Sequence, residues 1–160
     1  MTVAKTPKKA GLAQPQAPQY RSAEARRALE AWTSPDVGRR LELVEDIREG
    51  FVFAQVAALA KEAGVALGEL VEFGIIPRRT FTHSKQNQRF TATQSARLAR
   101  FFRIQQKAKG TFGSAERAMQ WLKRPTKPLQ DHAPVSLLDT EEGARLVEEL
   151  LMRIDHGIAA

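Results

Sequence analysis

The sequence predicts an all-α protein, and three observations support this prediction. From residue 22 onward, large apolar residues recur every three or four positions, the spacing of one helix face. No run of five or more residues alternates apolar with polar, as a half-buried strand does. Capping residues precede the apolar stretches, and Gly or Pro follows them. The 160 residues, 42% of them apolar, are enough for one domain, or two small ones, with a core.

Residues 1–21 are predicted to form a flexible basic arm before the folded part. This stretch contains three prolines, four basic residues and no acidic residue, with almost no large apolar side chain. It has no apolar segment of the kind found in signal peptides, and no run in the chain approaches the roughly 18–20 apolar residues of a membrane span. We therefore expect a cytoplasmic protein with no membrane contact. The arm is interpreted either as an untethered terminus or as a segment that touches DNA phosphate.

Three helices are predicted in the first 64 residues. The first, Ser22–Ala31, is rich in Ala, Glu and Arg. The second begins at Ser34-Pro35, a capping Ser followed by a Pro at the first helical position, and ends at Gly50. Its predicted apolar stripe is Val37, Leu41, Val44 and Ile47. The third ends at Gly64, and its stripe is Val52, Val56, Leu59, Ala60 and Ala63.

Two short helices, Leu67–Phe73 and Pro77–Ser84, are joined at Gly74 and have the proportions of a helix-turn-helix. A recognition helix needs inward apolar residues and an outward row of hydrogen-bond donors. Ile76 and Phe81 meet the first need. The predicted DNA-contacting residues are Arg78, Arg79, Thr80, Thr82 and His83 on the helix, Lys85, Gln86, Gln88 and Arg89 in a polar turn after it, and Arg97 on the next helix.

Charge is distributed unevenly along the chain, whose formal net charge is +7. Residues 73–115 hold nine basic residues and no acidic one, whereas residues 22–72 hold six basic and ten acidic residues. Residues 116–160 hold six basic and eight acidic residues. The acid-free block predicts a nucleic-acid face that extends as far as Lys109, and the alternative is an ordinary basic surface.

A long helix is predicted from Thr91, where Thr91 and Gln94 form a capping-box pattern, to about Lys109. One face is apolar apart from Gln105 and consists of Leu98, Phe101, Phe102 and Gln105. The other is basic and consists of Arg97, Arg100, Arg103 and Lys107. The glycines at 110 and 113 are expected to break the chain there. We therefore predict a helical domain at residues 22–110 and a C-terminal domain at residues 111–160.

The C-terminal domain is predicted to contain two helices around a loop. Ser114 caps the first helix, Pro125 terminates it, and Thr126–Ser136 forms the loop. Asp139 with Glu142 caps the last helix, which Gly157 ends. Its stripe is Leu146, Val147, Leu150, Leu151 and Ile154. Leu146 and Leu150 are assigned to the core, whereas Trp121 and Leu122 fit either a core or a partner surface.

Residues 112–160 carry a specific set of spaced residues. The set is Phe112-Gly113, Ala118, Trp121-Leu122, Pro125, Leu129, Pro134, Leu137-Leu138-Asp139-Thr140, Gly143, Val147, Leu150, Arg153-Ile154 and Gly157. This pattern resembles the C-terminal domain of Xre/MbcA/ParS-like antitoxins. From about residue 40 the chain also resembles that family, with an Xre-like helix-turn-helix at Pro77-Arg78-Arg79-Thr80. Lys127-Pro128 and the length of the turn Ser84–Thr91 depart from the family pattern.

The resemblance implies the antitoxin of a RES–Xre type II toxin–antitoxin pair. Such an antitoxin binds a RES-domain toxin, which resembles ADP-ribosyltransferases and degrades NAD, and shields its active site. It also dimerises, and the complex binds operator DNA and represses its own operon. The residues predicted to contact the toxin are Trp121, Leu122, Pro125, Leu129, Leu138, Arg153, Ile154, His156, Gly157, Ile158, Ala159 and Ala160. After Gly157 the side chains are small or apolar and uncharged. This end, with the Ala160 carboxylate, could therefore enter an NAD pocket, unless it is simply a frayed terminus.

No catalytic residue, metal or cofactor is predicted. The absence of cysteine excludes disulfides and thiolate metal sites, and the histidines at 83, 132 and 156 lack ligand spacing. Asp131-His132, Ser136 and Asp139 are better explained as turn and cap residues than as a catalytic triad. Two other functions stay open. One is a stand-alone dimeric transcription regulator, and the weaker one is a general RNA- or nucleoid-binding protein, since stacking aromatics are few.

Overall fold

The computed structural model describes residues 22–157, which form α-helices and two short 3₁₀ helices with no strand. The all-α prediction is confirmed for this part of the chain. The predicted arm at residues 1–21 and the final three residues lie outside the described residues. The α-helices are α1 (Ser22–Ala31), α2 (Val37–Glu49), α3 (Phe53–Glu62), α4 (Leu67–Glu72), α5 (Arg78–Asn87), α6 (Ala92–Phe112), α7 (Ala115–Lys123) and α8 (Glu141–Asp155). The 3₁₀ helices, Lys127–Leu129 and Pro134–Leu137, lie in the predicted loop.

Helix α6 is the centre of the molecule. Helices α1 and α2 pack on it, and so do α7 and α8. Leu98, Phe101 and Phe102 are fully buried, as predicted, so the apolar face of α6 forms the middle of the core. The buried amide of Gln105 donates a hydrogen bond of 2.9 Å to the carbonyl oxygen of Ala63, which ties α6 to the end of α3. A buried amide is tolerated in the core only with such a partner.

The capping box at the start of α6 is confirmed, and the helix runs three residues beyond its predicted end near Lys109. Thr91 Oγ1 accepts a hydrogen bond from the Gln94 amide, and Gln94 Oε1 accepts one from the Thr91 amide. The helix continues through Gly110 to Phe112 and ends at Gly113, whose φ is +84°. One glycine costs a helix only about 1 kcal/mol, less than the packing of flanking residues supplies. Residue 110 therefore lies inside a helix, and the division into two domains stays a prediction.

Helix α2 differs most from its prediction. Its N-cap is Asp36 rather than Ser34, because the Asp36 carboxylate accepts a 2.8 Å hydrogen bond from the amide of Gly38. The predicted apolar stripe is largely exposed: Val37 is 66%, Leu41 58% and Val44 39% exposed. Only its last member, Ile47, packs on the core, together with Leu43. Periodicity identified the helix but not which of its two apolar faces the core would cover.

The ends of α5 and α8 also need correction. Helix α5 continues to Asn87 and ends at Gln88, whose φ is +56°, so Lys85 lies in the helix and not in a turn. At the start of α8 the cap is Thr140 rather than Asp139, and its hydroxyl accepts a 3.1 Å hydrogen bond from the Gly143 amide. In this helix Leu150 is buried as predicted.

Leu146 of α8 was assigned to the core and is instead 46% exposed. It lies beside the buried stripe, outside the arc that α6 covers. None of the helices between residues 22 and 157 combines the length and apolarity that crossing a bilayer requires.

Candidate functional site

The first candidate site is the pair α4 and α5 with the turn between them. Gly74 has φ +73°, a backbone conformation that favours glycine, and it turns the chain after α4. Ile75 and Ile76 follow and are fully buried. The ring of Phe81 lies 5.5 Å from that of Phe53 and is half-buried. One side of α5 is therefore anchored on the core, which leaves its other side free.

The free side of α5 carries a row of polar side chains. Arg78, Arg79 and Lys85 are exposed, and none of them forms an ion pair among the described residues. The first two lie in the first turn, where the helix dipole adds to the positive potential. We call Arg78, Arg79 and Lys85 the α5 row. It is an unneutralised positive surface of the kind that binds phosphate.

The other predicted DNA contacts on α5 are placed as follows. Gln86 is exposed and Thr80 is half-buried. Thr82 is exposed, and its hydroxyl donates a 3.2 Å hydrogen bond to the Arg78 carbonyl oxygen. His83 is also exposed, with its Nε2 2.8 Å from the amide nitrogen of Asn87. The last contact is one that the sequence analysis missed, and the four-residue spacing of the two side chains is its only signal.

Arg89 and Gln88 have structural roles that the sequence did not indicate. The Nη1 of Arg89 donates to the carbonyl oxygens of Gly50, at 2.6 Å, and Glu49, at 3.3 Å. A cation thus satisfies the carbonyl end of α2, where the helix dipole is negative. The side-chain amide of Gln88 donates to the Lys85 carbonyl oxygen at 2.6 Å. These bonds occupy polar atoms that were predicted to contact DNA.

The basic face of α6 is largely neutralised by α8. Arg100 Nε lies 2.9 Å and Arg103 Nη2 3.1 Å from the carboxylate of Glu141. Glu148 Oε1 lies 2.9 Å from Arg103 Nε and 3.2 Å from Lys107 Nζ. We call Arg100, Arg103 and Lys107 the α6 row. The hydrogen bond from Arg100, followed by that from Arg103, holds the pKa of Glu141 below its ordinary value.

The predicted nucleic-acid face therefore does not extend along the whole basic block. The α6 row faces the carboxylates of a helix about forty residues later in the chain, and the prediction that it faces nucleic acid is corrected. Arg97 stands outside this network, half-buried and without an ion pair among the described residues. Its role as a DNA contact stays a prediction.

The second candidate site is the surface around α7. Ser114 caps this helix by accepting a hydrogen bond of 3.2 Å from the Arg117 amide, as predicted. Trp121 is half-buried, with its ring 5.2 Å from that of Phe112. Leu122 and Leu138 are fully buried. Their predicted contact with a toxin is corrected, because neither side chain reaches the surface of this structure.

A groove follows the end of α7 and contains Trp121. Beside the indole it is lined by Arg124, Pro125, Thr126, Lys127 and Pro128. We call it the Trp121 groove. Leu129 lies just beyond it and is half-buried against the core. Arg124 and Lys127 were not among the predicted contacts. The three-residue spacing of Arg124 from Trp121 was a usable signal, whereas Lys127 is brought to the groove only by the fold of the chain after α7.

The last turn of α8 carries the remaining predicted contacts. Arg153, His156 and Gly157 are exposed, and Ile154 is half-buried. The chain leaves α8 at Gly157, whose φ is +63°, as the prediction of a terminating glycine required. The other predicted contacts, Ile158, Ala159 and Ala160, lie outside the described residues.

A polar link joins α7 to α4. Lys123 Nζ lies 2.5 Å from Glu69 Oε1 and 5.7 Å from the ring centre of Phe73. The hydrogen bond from Lys123 lowers the pKa of Glu69, and a second bond from the Ala66 amide acts in the same direction. The two candidate sites thus share one body, joined through α6 and through this link.

Three of the residues that were excluded as a triad, Asp131, His132 and Ser136, have turn roles, whereas the cap role assigned to Asp139 belongs to Thr140. Asp131 has φ +64° and pairs with Lys127 at 2.9 Å. His132 Nδ1 lies 3.0 Å from the Leu129 carbonyl oxygen, and the Ser136 hydroxyl donates to the Ala133 carbonyl oxygen at 2.7 Å. Between residues 22 and 157 no three His, Asp or Glu side chains are grouped so as to hold a metal ion.

Comparison with known proteins favours one of the open functions. Residues 107–157 match the family model of the antitoxin Xre/MbcA/ParS C-terminal toxin-binding domain. Three relatives are each named Antitoxin Xre. The protein from Yersinia enterocolitica is 35% identical over 118 residues, which cover 72% of this chain and 80% of the relative. That from Photorhabdus laumondii is 34% identical over 116 residues (71% and 78%), and that from Pseudomonas putida 32% over 124 residues (77% of both).

The chain belongs to the Xre antitoxin family. The resemblance inferred from the spaced residues of segment 112–160 is thereby confirmed. An Xre antitoxin has a toxin as its partner, so the comparisons favour an antitoxin over a stand-alone regulator. The matched domain begins at Lys107, within the last turns of α6, and includes the Trp121 groove and all of α8.

Proposed function

We propose that this Xre antitoxin neutralises a cognate RES-domain toxin that degrades NAD, acting in the cytoplasm without catalysis of its own. The match of residues 107–157 to a toxin-binding domain is the observation that carries the proposal. The RES class is what the resemblance to this family implies, and that resemblance rests on the spaced residues from Phe112-Gly113 to Gly157. In this proposal, residues 111–160 cover the active site of the toxin.

The Trp121 groove is the proposed anchor for the toxin. Tryptophan and arginine are the residues most often found at the energetic centre of protein interfaces. Here a half-buried indole lies beside Arg124 and Lys127, so the groove suits an apolar side chain of the toxin flanked by carboxylates. Leu122 and Leu138 are fully buried and belong to the core rather than to this anchor.

The chain beyond α8 is proposed to reach the NAD site of the toxin. Gly157 turns the chain out of the helix, and the three residues after it carry no charged side chain. Such a segment can enter a narrow cleft without burying an unpaired side-chain charge.

Co-expression with the toxin tests both parts of this proposal. Cells would carry an inducible toxin gene with the wild-type antitoxin, the Trp121→Ala variant or a chain that ends at residue 156, and growth and cellular NAD would be followed. We expect Trp121→Ala to weaken co-purification of the toxin. We expect the truncated chain still to co-purify with the toxin but no longer to prevent the loss of cellular NAD. Gln120→Ala is the matched control, because Gln120 is an exposed neighbour on the same helix that does not line the groove. Full protection by the truncated chain would refute the proposal that the chain beyond α8 reaches the NAD site of the toxin.

We propose further that residues 22–110 bind operator DNA as a homodimer and repress the operon. The α5 row supplies cations to phosphates and base edges, with Thr80, Thr82, His83 and Gln86 beside it. Two copies related by a two-fold axis would present two such rows to half-sites about one helical turn apart.

Fluorescence anisotropy on the DNA upstream of the operon tests this second part. The measurement uses that DNA and a shuffled duplex of equal length over a series of salt concentrations. We expect tighter binding to the upstream DNA and an affinity that falls steeply with salt. Lys85→Ala should weaken binding to both duplexes alike and reduce the salt slope by about 1. Equal affinity of the wild type for both duplexes would contradict operator recognition.

A further inference from the structure

Helix α2 carries an exposed apolar face that neither candidate site uses. Val37, Leu41 and Val44 are three of the five large apolar side chains that are exposed among the described residues. The other two, Leu146 and Met152, belong to α8. We call Val37, Leu41 and Val44 the α2 face. A grouped set of this kind needs an explanation that single exposed side chains do not.

The three side chains form one continuous stripe. Successive residues of an α-helix are rotated by about 100°, so positions 37, 41 and 44 fall within a sector of about 60°. The stripe is about 10 Å long, at 1.5 Å per residue. Its spacing, four residues and then three, is that of a helix seam that packs against another helix. The inward residues Leu43 and Ile47 lie on a different side and are covered by the core.

A groove between α2 and α6 continues this apolar surface. Its apolar lining includes Val44, which also belongs to the stripe, with Ile47, Ala96 and Ala99. Three arginines also line it: Arg40, and Arg100 and Arg103, which are paired with Glu141. A ridge and a groove therefore lie next to each other on one side of the molecule. A stable interface covers about 800 Å² on each partner, which is more than a single helix stripe of this length provides. The groove beside the stripe enlarges the area that a partner can cover.

The charges around the α2 face favour a second copy of this chain as its occupant. Two copies, each with a net charge of +7, repel each other unless they meet through a region that is not basic. Helix α2 has three basic and four acidic residues, in a segment where acidic residues are in excess. Arg40 flanks the stripe on one side and Glu45 flanks it on the other. Each copy therefore presents both positive and negative charge around the stripe.

We propose that the α2 face is the surface through which two copies of this chain pair about a two-fold axis. In an antiparallel pairing of the two α2 helices, Leu41 packs on the partner's Val44, and Arg48 lies over the partner's Val37. A parallel pairing would instead bring the two Arg48 side chains together. The proposal rests on the homodimer of the proposed function and names the surface that forms it.

The oligomeric mass of the full chain, free of DNA and toxin, tests this surface. We expect light scattering after size exclusion to give twice the 17.8 kDa chain mass for the wild type, falling to one chain for Leu41→Glu at the same concentration. Met152→Glu is the matched control, because Met152 is 56% and Leu41 58% exposed. The control should stay dimeric, and equal thermal unfolding of the variants shows that both remain folded.

The outcomes separate this inference from the proposed homodimer. A wild type that stays monomeric overturns both, whereas a Leu41→Glu variant that stays dimeric overturns only the surface. If Leu41→Glu loses the toxin while its own mass is unchanged, the surface belongs to the toxin and the inference is wrong.

The absence of cysteine allows a direct second measurement. With a short bifunctional maleimide, Leu41→Cys should cross-link into a covalent dimer, and Met152→Cys should not. Equal cross-linking of the two variants would contradict the proposed surface, because it would report random collision.

Discussion

The α5 row and the α6 row come from the same acid-free block, yet the structure gives them different surroundings. In the α5 row, Arg78, Arg79 and Lys85 face outward with no carboxylate among the described residues to pair with them. In the α6 row, each cation lies within 3.2 Å of a carboxylate of α8. One row is available to a polyanion, and the other attaches the C-terminal helix to the core.

This difference shows what a local excess of charge can and cannot indicate. A basic stretch predicts a polyanion site only where the fold leaves it without acids. Glu141 and Glu148 belong to a C-terminal segment whose own net charge is small. They nevertheless neutralise basic residues that lie about forty positions earlier in the chain. The positive surface is therefore smaller than the composition suggested, and it is concentrated on α5.

The largest expected effect comes from removing the two arginines of the α5 row. Arg78→Ala with Arg79→Ala should reduce operator affinity about 100-fold or more, because each arginine that reads a base or phosphate contributes about 1–3 kcal/mol. Thermal stability should stay close to that of the wild type, because both side chains are exposed. Anisotropy titration and thermal unfolding measure the two quantities. Unchanged DNA affinity would mean that the two rows do not differ in function.

The docking of α8 next to the α6 row gives the next largest effect. A Cβ at Gly143 would overlap the backbone carbonyl oxygen of Leu137, which cannot move aside easily. Gly143→Ala should therefore lower the free energy of unfolding by about 2–3 kcal/mol. The matched control is Gly110→Ala, since a Cβ there meets nothing within 4 Å, and the replacement should stabilise α6 by up to about 1 kcal/mol. Chemical denaturation measures both changes. A Gly143→Ala variant as stable as the wild type would show that α8 is not held at this point.

Removing the central residue of the α6 row should lower stability and leave operator affinity nearly unchanged, the opposite of what is expected for the α5 row. Arg103 contacts both Glu141 and Glu148, so Arg103→Ala should lower stability by about 1 kcal/mol, a modest value because the pairs are partly exposed. Operator affinity should change by less than about threefold, which is only the loss of a distant charge. Denaturation and anisotropy on the same preparation check both expectations. A loss of DNA affinity as large as that of the α5 variant would show that the α6 row also contacts DNA.

Much of the fold could be predicted from the sequence because caps and helix spacing are local. The Thr91–Gln94 box, the Ser114 cap and the terminating glycines at 64, 113 and 157 all have the predicted roles. The face of a helix that the core covers is not local. The stripe of α2 and the side chain of Leu146 were misassigned for this reason, since neighbouring helices decide burial.

The candidate sites could be predicted less completely. Spacing identified α5 and Trp121, but it did not reveal that Arg89 would bond the end of α2 or that Leu122 would be fully buried. Such contacts join residues far apart in sequence. The Trp121 groove also includes Lys127-Pro128, where the chain departs from the family pattern, and these residues therefore became visible only through the geometry.

The pH dependence of stability is the smallest and most selective test of the α6 row. The guanidinium of Arg100, at 2.9 Å, lowers the pKa of Glu141 in the folded chain below its ordinary value of 4.5. The folded state therefore gains stability from this carboxylate above pH 4.5 and loses the gain as the pH falls through the lowered pKa. Glu141→Gln should cost about 0.5 kcal/mol at pH 7, because the pair is half exposed, and nothing once the wild-type carboxyl is protonated. Glu142→Gln is the control, since Glu142 has no ion pair among the described residues, and its pH profile should follow that of the wild type. Thermal unfolding across this pH range measures the gap, and a gap for Glu141→Gln that persists in acid would show that shape, rather than charge, holds α8 on α6.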